Sequence, residues 1–148
     1  MRTRHTEVKI LPYDRRFIYN IVADVQRYPQ FIPWINRVRV LDSYDNIVEF
    51  EMNVDFKVVK EKFSTKDTFW QDEFIEISLI SGPFSYLYNT WKFESIDDYT
   101  TKVTFFIDFD FKSKLLGALF SNVFVQAQKK IIDAFDKRAE SLYRKQVR

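Results

Sequence analysis

The stretch VTFFIDFDFKSKLLGALFSNVFVQAQKKIIDAFDKRAESL, residues 103–142, contains the change of hydrophobic period that decides the fold. Its first part alternates apolar and polar side chains, as a strand with one buried face does. After Lys112 the apolar residues recur every three or four positions, which is the period of an amphipathic helix. At 1.5 Å per residue this helix is about 45 Å long, more than a small sheet needs for simple coverage. The stretch therefore predicts a last strand followed by a long C-terminal helix.

Upstream of this stretch, the period of two recurs in short segments separated by turns. Residues 48–56 alternate Val, Phe and Met with Glu, Asn and Asp, and further strands are predicted near 38–40, 75–79 and 87–93. The pair Val58-Val59 breaks the alternation, as a β-bulge would, and the alternation continues through Glu61, Phe63, Thr65 and Asp67. Short turns between successive strands favour antiparallel neighbours.

The N-terminal residues combine a strand with helical turns. Val8 and Ile10 alternate with charged residues, which predicts a short strand with its apolar side chains on the buried face. Asp14 is placed to cap a helix that begins at Arg15. The segment YPQFIPWIN, residues 28–36, contains two prolines that end this helix. Its large apolar side chains predict a second short helix or folded loop packed on the core.

The order of elements predicts an α+β fold in a single domain over residues 1–148. In this fold a curved antiparallel sheet of about seven strands wraps around the long C-terminal helix. Two short helices follow the first strand.

The composition excludes many classes of enzyme and metal site. The chain has 148 residues, no Cys, one His and two Gly. Without Cys there is no disulfide scaffold, thiolate metal site or cysteine nucleophile. Two glycines do not suffice for the Gly-rich phosphate loops, and a single His near the N-terminus argues against zinc sites and Ser-His-Asp triads. Since no apolar run approaches the ~20 residues of a membrane span, we expect a cytoplasmic protein without a metal.

Carboxylates are the remaining candidates for catalysis. Asp108 and Asp110 share one face of the last strand, about 7 Å apart, which is within reach of paired-carboxylate chemistry. Their parity is opposite to that of the Phe residues on this strand, so both are expected to face solvent beside cross-strand lysines. We therefore expect no catalytic residues and no enzymatic activity.

The inward apolar side chains are the candidate ligand site. A sheet that wraps a helix and has few small residues tends to leave a tunnel, and large apolar ligands bind in such places. The same pattern is also compatible with a filled core. Strand parity and helical period select as tunnel residues Phe31, Trp34, Phe50, Met52, Phe84, Leu87, Trp91, Phe93, Phe105, Phe109, Leu119, Val123, Phe124 and Ile131.

The start of the long helix is a candidate membrane lip. Its first turns are apolar over a wide arc and flanked by lysines, as suits contact with a bilayer interface. A corner packed against residues 28–36 is the alternative. The lip residues are Lys112, Lys114, Leu115, Leu116 and Phe120.

Charge is distributed unevenly along the chain. Residues 112–148 hold nine Lys/Arg against three Asp/Glu, although the whole chain has a formal charge of only +2. A basic segment on an acidic body can attract anionic lipid or RNA. An ordinary solvated helix face would have the same appearance.

Three segments resemble a known family. They are VADVQRYPQFIPW at 22–34, GPFSYL at 82–87 followed by WKF at 91–93, and IDFDFKSKLL at 107–116 leading to Ala134-Phe135. In this order and spacing they resemble the coenzyme Q-binding branch of the START-like superfamily, which includes polyketide cyclase/dehydrase-like proteins. The family's first motif commonly continues with Cys, where this chain has Ile35, and this departure argues against a thiol role.

The resemblance implies a helix-grip fold, a single START-like lipid-binding domain over residues 1–148 and a non-enzymatic function. Members bind ubiquinone or a related isoprenoid lipid in the tunnel and support respiratory electron transport, so ubiquinone is the expected ligand and no other cofactor is required. A carrier of this kind also needs a membrane-facing mouth, which predicts peripheral contact with an anionic membrane at the inner face of the cytoplasmic membrane.

Two alternatives stay open. Bacterial members of the family are also labelled ribosome association toxins, which implies interference with subunit joining, ribosomal subunits as partners and no DNA. A ribosome binder would need a basic patch with exposed stacking groups, and the acids among the C-terminal lysines fit this less well. A cyclase-like enzyme is the second alternative. It would require a His, Glu or Asp that points into the cavity.

Overall fold

An antiparallel sheet of seven strands forms the body of the computed structural model, which describes residues 2–57 and 59–146. The spatial order is β1-β7-β6-β5-β4-β3-β2, so consecutive hairpins run from β2 to β7 and β1 pairs with the last strand. The strands are β1 (Thr3–Leu11), β2 (Ile35–Tyr44), β3 (Ile47–Phe56), β4 (Val59–Trp70), β5 (Phe74–Ser81), β6 (Phe84–Asp97) and β7 (Thr100–Phe111).

Two short helices follow β1, as predicted. Helix α1 (Arg15–Ala23) begins where Asp14 accepts a hydrogen bond from the Phe17 amide, at 3.3 Å. A 3₁₀-helix (Val25–Gln30) continues from it. None of the helices in the described ranges combines the length and hydropathy that a membrane span requires.

The long helix α2 (Lys114–Gln146) packs against the sheet and confirms the predicted helix-grip arrangement. Phe93 and Phe105 of the central strands and Phe135 of α2 are almost fully buried between the two layers. The expected bulge at Val58-Val59 lies partly outside the described residues. The residues before it and the residues after it belong to two different strands, because Phe56 of β3 pairs with Val59 of β4.

The outward and inward faces of β1 are the reverse of those predicted. Val8 and Ile10 are 52% and 59% exposed, whereas Lys9 points towards α2 and lies 3.0 Å from Asp133 and 3.3 Å from Asp136. β1 is an edge strand, so its inner face meets the polar flank of α2 and not the apolar stripe. Ion pairs thus take the place of apolar contacts there.

The prediction that Asp108 faces solvent beside lysines is also wrong. Its side chain is 7% exposed, and Oδ2 accepts hydrogen bonds from Arg2 Nη2 at 3.0 Å and Arg4 Nε at 3.2 Å. The reason is the pairing of β1 with β7, which places Arg4 directly opposite Asp108. Arg2 also stacks on the Tyr86 ring, at 3.9 Å from its centroid. The arginines cover the carboxylate on the outer face, where it joins the N-terminal strand to the sheet.

Candidate ligand-binding cavity

A cavity of about 120 Å³ lies between the sheet and α2. Alternate residues of β4 from Glu61 to Asp67 line it, a distance of about 20 Å at 3.3 Å per residue. Along α2, the lining residues run from Phe120 to Phe135, over about 22 Å. The cavity is therefore elongated, and the interior is partly hollow.

One end of the cavity, here called the mouth, lies where the β3–β4 and β5–β6 connections and the start of α2 meet. Glu61 and Phe120 line this end and are only half-buried. The Phe56 ring has two lysines over it, with Lys57 Nζ 5.6 Å and Lys130 Nζ 5.7 Å from its centroid. The mouth therefore combines apolar rings with positive charge.

The opposite end, here called the deep end, contains a buried carboxyl group. Asp67 is 1% exposed, and its Oδ1 accepts a hydrogen bond from the Thr65 hydroxyl at 2.7 Å. Among the described residues, Thr65 is the only hydrogen-bond partner of the Asp67 side chain. Burial raises the pKa of this carboxyl from 3.8 to about 7, although the Thr65 hydrogen bond acts in the opposite direction. Asp67 therefore titrates near neutral pH inside the cavity.

Two further polar side chains line the deep end but are engaged elsewhere. Asn89 Nδ2 donates to the carbonyl of Phe106 at 2.7 Å. The Tyr28 hydroxyl donates to the carbonyl of Val22, and burial raises the pKa of this phenol well above its usual value, with a smaller contribution from Asp67. Asp67 differs from both, because it titrates near neutral pH and its one partner among the described residues is the Thr65 hydroxyl.

Aromatic rings form much of the wall between the two ends. Trp91 meets Phe105 and Phe135 edge-on, with ring centroids 4.8 Å and 5.2 Å apart. Nearer the mouth, Phe84 contacts Phe124 at 5.2 Å. Edge-on contacts of this kind hold the rings in fixed orientations, so the wall keeps its shape without a ligand.

Most of the predicted tunnel residues line the cavity. Each of these lies on the inward face of the sheet, on the inward stripe of α2 or in the Pro-Trp segment. They are Trp34, Met52, Phe84, Leu87, Trp91, Phe105, Val123, Phe124 and Ile131.

Five predicted tunnel residues lie elsewhere: Phe31, Phe50, Phe93, Phe109 and Leu119. Phe93 points inward, but there α1 covers the sheet and Tyr19 fills the space at 5.3 Å. Phe31 packs on the Phe135 ring at 5.4 Å from outside the cavity, and Leu119 is 57% exposed. Parity gives the face of a strand, but not which part of that face another element covers.

The polar lining residues were not among the predicted site residues. Asp67, Thr65, Asn89 and Tyr28 line the cavity beside the predicted aromatic residues. The sequence did contain a signal for the first two, because Thr65 and Asp67 have the same parity as Phe63, an inward residue of β4.

The predicted lip is exposed at the mouth end of α2. Leu115 is 69% exposed, Lys112 and Lys114 are exposed, and Leu116 and Phe120 are half-buried. Of the segment 28–36, Phe31 packs on Phe135 farther along α2, and Trp34 packs on Phe56 at the mouth with ring centroids 5.3 Å apart.

Comparisons with known proteins bear on the use of this cavity. A family model described as polyketide cyclase / dehydrase and lipid transport matches residues 11–136. Ribosome association toxin RatA of Pseudomonas aeruginosa is 32% identical over 143 residues, which cover 97% of this chain and 99% of that protein. Coenzyme Q-binding protein COQ10 homolog B, mitochondrial, of Xenopus laevis is 32% identical over 149 residues, which cover 98% of this chain and 61% of that protein.

Solved structures share the fold at lower identity. A START superfamily protein from Mycobacterium smegmatis aligns with a TM-score of 0.82 and 18% identity, covering 94% of this chain and 98% of that one. The Zhui aromatase/cyclase from Streptomyces sp. R1128 aligns with a TM-score of 0.84 and 13% identity, covering 95% and 94%. At these identities the likeness concerns the fold alone, and it confirms the expected START-like architecture.

Proposed function

The chain belongs to the polyketide cyclase/dehydrase and lipid transport family, and on that premise we propose that its cavity binds ubiquinone or a related isoprenoid lipid. The protein would act as a non-enzymatic lipid chaperone that supports respiratory electron transport. The supporting observation is an elongated, largely apolar cavity whose mouth adjoins exposed leucines and lysines. Each buried CH₂ of such a lipid is worth about 0.8 kcal/mol, so even a short isoprenoid segment favours this environment over water.

The size of the cavity limits how much of the lipid it holds. An apolar cavity of about 150 Å³ binds one benzene molecule, and the cavity here is about 120 Å³. The cavity therefore holds at most one small ring-sized group in this form, and a longer tail has to extend through the mouth and along the lip. The lip leucines would then cover the part of the tail that the cavity leaves outside.

The surface around the mouth suits peripheral contact with an anionic membrane from the cytoplasm. Leu115 and Leu119 are exposed beside Lys112 and Lys114 on the first turns of α2. Apolar side chains can enter the acyl boundary while lysines meet anionic headgroups, each worth about 1 kcal/mol near such a surface. A lipid could then pass between bilayer and cavity without crossing bulk water.

Organic extraction of the natively purified protein followed by mass spectrometry tests the proposal, together with a titration by decylubiquinone. Trp34 and Trp91 line the cavity, so bound quinone should quench their fluorescence. Trp70 is 42% exposed and does not line the cavity. A Trp34→Phe, Trp91→Phe double variant retains Trp70 as its only Trp and serves as the matched control, in which quenching should disappear. Absence of isoprenoid from the extract, together with no quenching of the parent protein, would refute quinone binding.

Ribosome association is a second candidate function. It is favoured by the relative named RatA and by exposed Lys129, Lys130 and Lys137 on the outer side of α2. Charge-driven contact with ribosomal RNA should weaken steeply with salt. Co-sedimentation with ribosomal subunits tests this function, and replacement of the three lysines by Gln should abolish it. Binding that is unchanged in this variant would count against a role for this surface.

Asp67 keeps a cyclase-like activity as a third candidate, because it is an acid inside the cavity with a pKa of about 7. General acid–base chemistry usually requires a second positioned group, and the nearby Tyr28 hydroxyl is bonded to the Val22 carbonyl. Recovery of added ligand after incubation separates binding from turnover. An unchanged ligand mass supports a carrier, and loss of water from the ligand supports an enzyme.

A further inference from the structure

We propose that Asp67 binds the oxygen-bearing end of the ligand, so that an isoprenoid quinone or alcohol enters the cavity with its polar end first. This inference rests on the proposed function and specifies how the same cavity holds its ligand. It assigns the ring or hydroxyl group to the deep end and the tail to the mouth.

The position of the carboxyl carries the argument. Asp67 is 1% exposed and lines the cavity, and within the described part of the chain only the Thr65 hydroxyl bonds to it. That bond occupies Oδ1 and leaves Oδ2 without a protein donor. An oxygen-bearing ligand that reaches Oδ2 therefore gains a hydrogen bond that the described residues do not supply.

The rest of the cavity suits a hydrocarbon tail. Between Asp67 and the mouth, the wall includes Phe63, Phe84, Phe124 and Ile131. The polar lining residues Glu61 and Gln128 are half-buried and in reach of water. A hydrocarbon placed against Asp67 would leave the carboxyl with the Thr65 hydrogen bond alone. An amphiphile with its head at the mouth would keep that head in water but would supply no hydrogen bond to Asp67.

The carboxyl can recognise either kind of ligand oxygen. When protonated it donates to a quinone carbonyl, and when ionised it accepts from a hydroxyl group. Tyr28 from the 3₁₀-helix also lines this end, but its hydroxyl is committed to the Val22 carbonyl. The ligand class is thus an isoprenoid with at least one hydrogen-bonding oxygen at its head.

The test compares two probes that share a decyl tail, decylubiquinone and decylbenzene, in isothermal titration of the purified protein. The parent protein should prefer the quinone by about tenfold, as expected for one net hydrogen bond. Asp67→Leu should reduce this preference to within about twofold and leave decylbenzene binding equal or tighter. Asp67→Asn keeps a donor and an acceptor and should retain most of the preference. Lys66→Gln is the matched control and should change neither affinity, because Lys66 is the neighbour of Asp67 on β4 but is exposed and does not line the cavity.

The outcomes separate this inference from the function on which it rests. A tenfold quinone preference that persists in Asp67→Leu overturns the assignment of Asp67 while quinone binding stands. If neither probe binds the parent protein, the proposed function itself fails. If Asp67→Leu does not fold, infrared difference spectra of the parent protein with and without quinone test the inference instead. The same spectra of Asp67→Asn serve as the control that lacks the carboxyl group. Quinone should shift a protonated-carboxyl band that the Asn variant lacks, and an unshifted band overturns the inference.

Discussion

Asp67 and Asp108 are both buried carboxyl groups on the sheet, but their surroundings differ. Asp108 lies on the outer face and accepts hydrogen bonds from Arg2 and Arg4. Asp67 faces the cavity and has a single neutral partner, the Thr65 hydroxyl. Two positive charges compensate the carboxylate of Asp108, whereas none of the described residues forms an ion pair with Asp67.

The difference separates a structural role from a functional one. The hydrogen bonds of Asp108 with Arg2 and Arg4 connect two parts of the chain, the N-terminal strand β1 and β7. A buried carboxylate without a positive partner, such as Asp67, lowers the stability of the fold at neutral pH and does not connect two parts of the chain. Natural proteins violate the rules of packing mainly at functional sites. From the contrast between the two carboxyl groups we expect Asp67 to interact with the ligand that enters the cavity. The following predictions test this contrast.

The largest expected effect is stabilisation by Asp67→Asn at alkaline pH. The pKa of Asp67 is about 7 in the folded protein, above the ordinary value of 3.8 for an Asp carboxyl group. The folded state therefore binds more protons than the unfolded state between about pH 4 and pH 7, and stability contributed by this group falls as pH rises through that window. At pH 8 the variant should be more stable than the parent by up to about 4 kcal/mol.

Urea denaturation at pH 4 and pH 8 measures this effect as the difference between parent and variant, which removes the contribution of other titrating groups. The two proteins should differ little at pH 4. Equal stability at pH 8 would mean that the carboxyl is compensated, and the contrast with Asp108 would disappear.

Asp108→Asn should have the opposite sign. Removing the charge weakens two hydrogen bonds to partly exposed arginines, which should cost about 1–2 kcal/mol at pH 7. Denaturant unfolding of Asp108→Asn beside Asp67→Asn provides the check, and Arg4→Gln should account for part of the loss. A stability equal to or above that of the parent would remove the structural role assigned to Asp108.

The lip should give the smallest change in stability. Leu115→Ser and Leu119→Ser alter exposed side chains, so the double variant should stay within about 0.5 kcal/mol of the parent. Its sedimentation with vesicles of anionic phospholipid should nevertheless fall several-fold, because the apolar contact with the interface is lost. Ile96→Ser is the matched control, since Ile96 is 52% exposed on β6 at the end of the sheet away from the mouth. An equal loss of vesicle binding in the control would show that the lip is not specific.

The architecture could be predicted from the sequence because it depends on hydrophobic period. The switch from a period of two to 3.6 after Lys112 fixes the last strand and α2, and Asp14 marks the start of α1. The face of β1 was assigned wrongly, because the ion pairs of Lys9 with Asp133 and Asp136 depend on the tertiary position of an edge strand.

The cavity could be predicted only in part. Parity identified wall residues such as Trp91 and Phe105, but it does not show where the packing stops and the void begins. Phe93 belongs to the filled part because Tyr19 of α1 covers it. Asp67 was missed because only apolar side chains were selected as site residues, although the alternation put Asp67 on the same face as Phe63. The β3–β4 hairpin makes β4 a separate strand with the carboxyl inside.

The most direct test of the account is the orientation of bound decylubiquinone, measured by intermolecular nuclear Overhauser effects in solution. The ring substituents should contact Ile77 and Trp91, which line the deep end beside Asp67. The tail should contact Phe120 and Val123 near the mouth. Ring contacts to Phe120 with the tail against Trp91 would contradict polar-end-first binding. Absence of contacts to any residue of the cavity would contradict the proposal that the cavity is the lipid site.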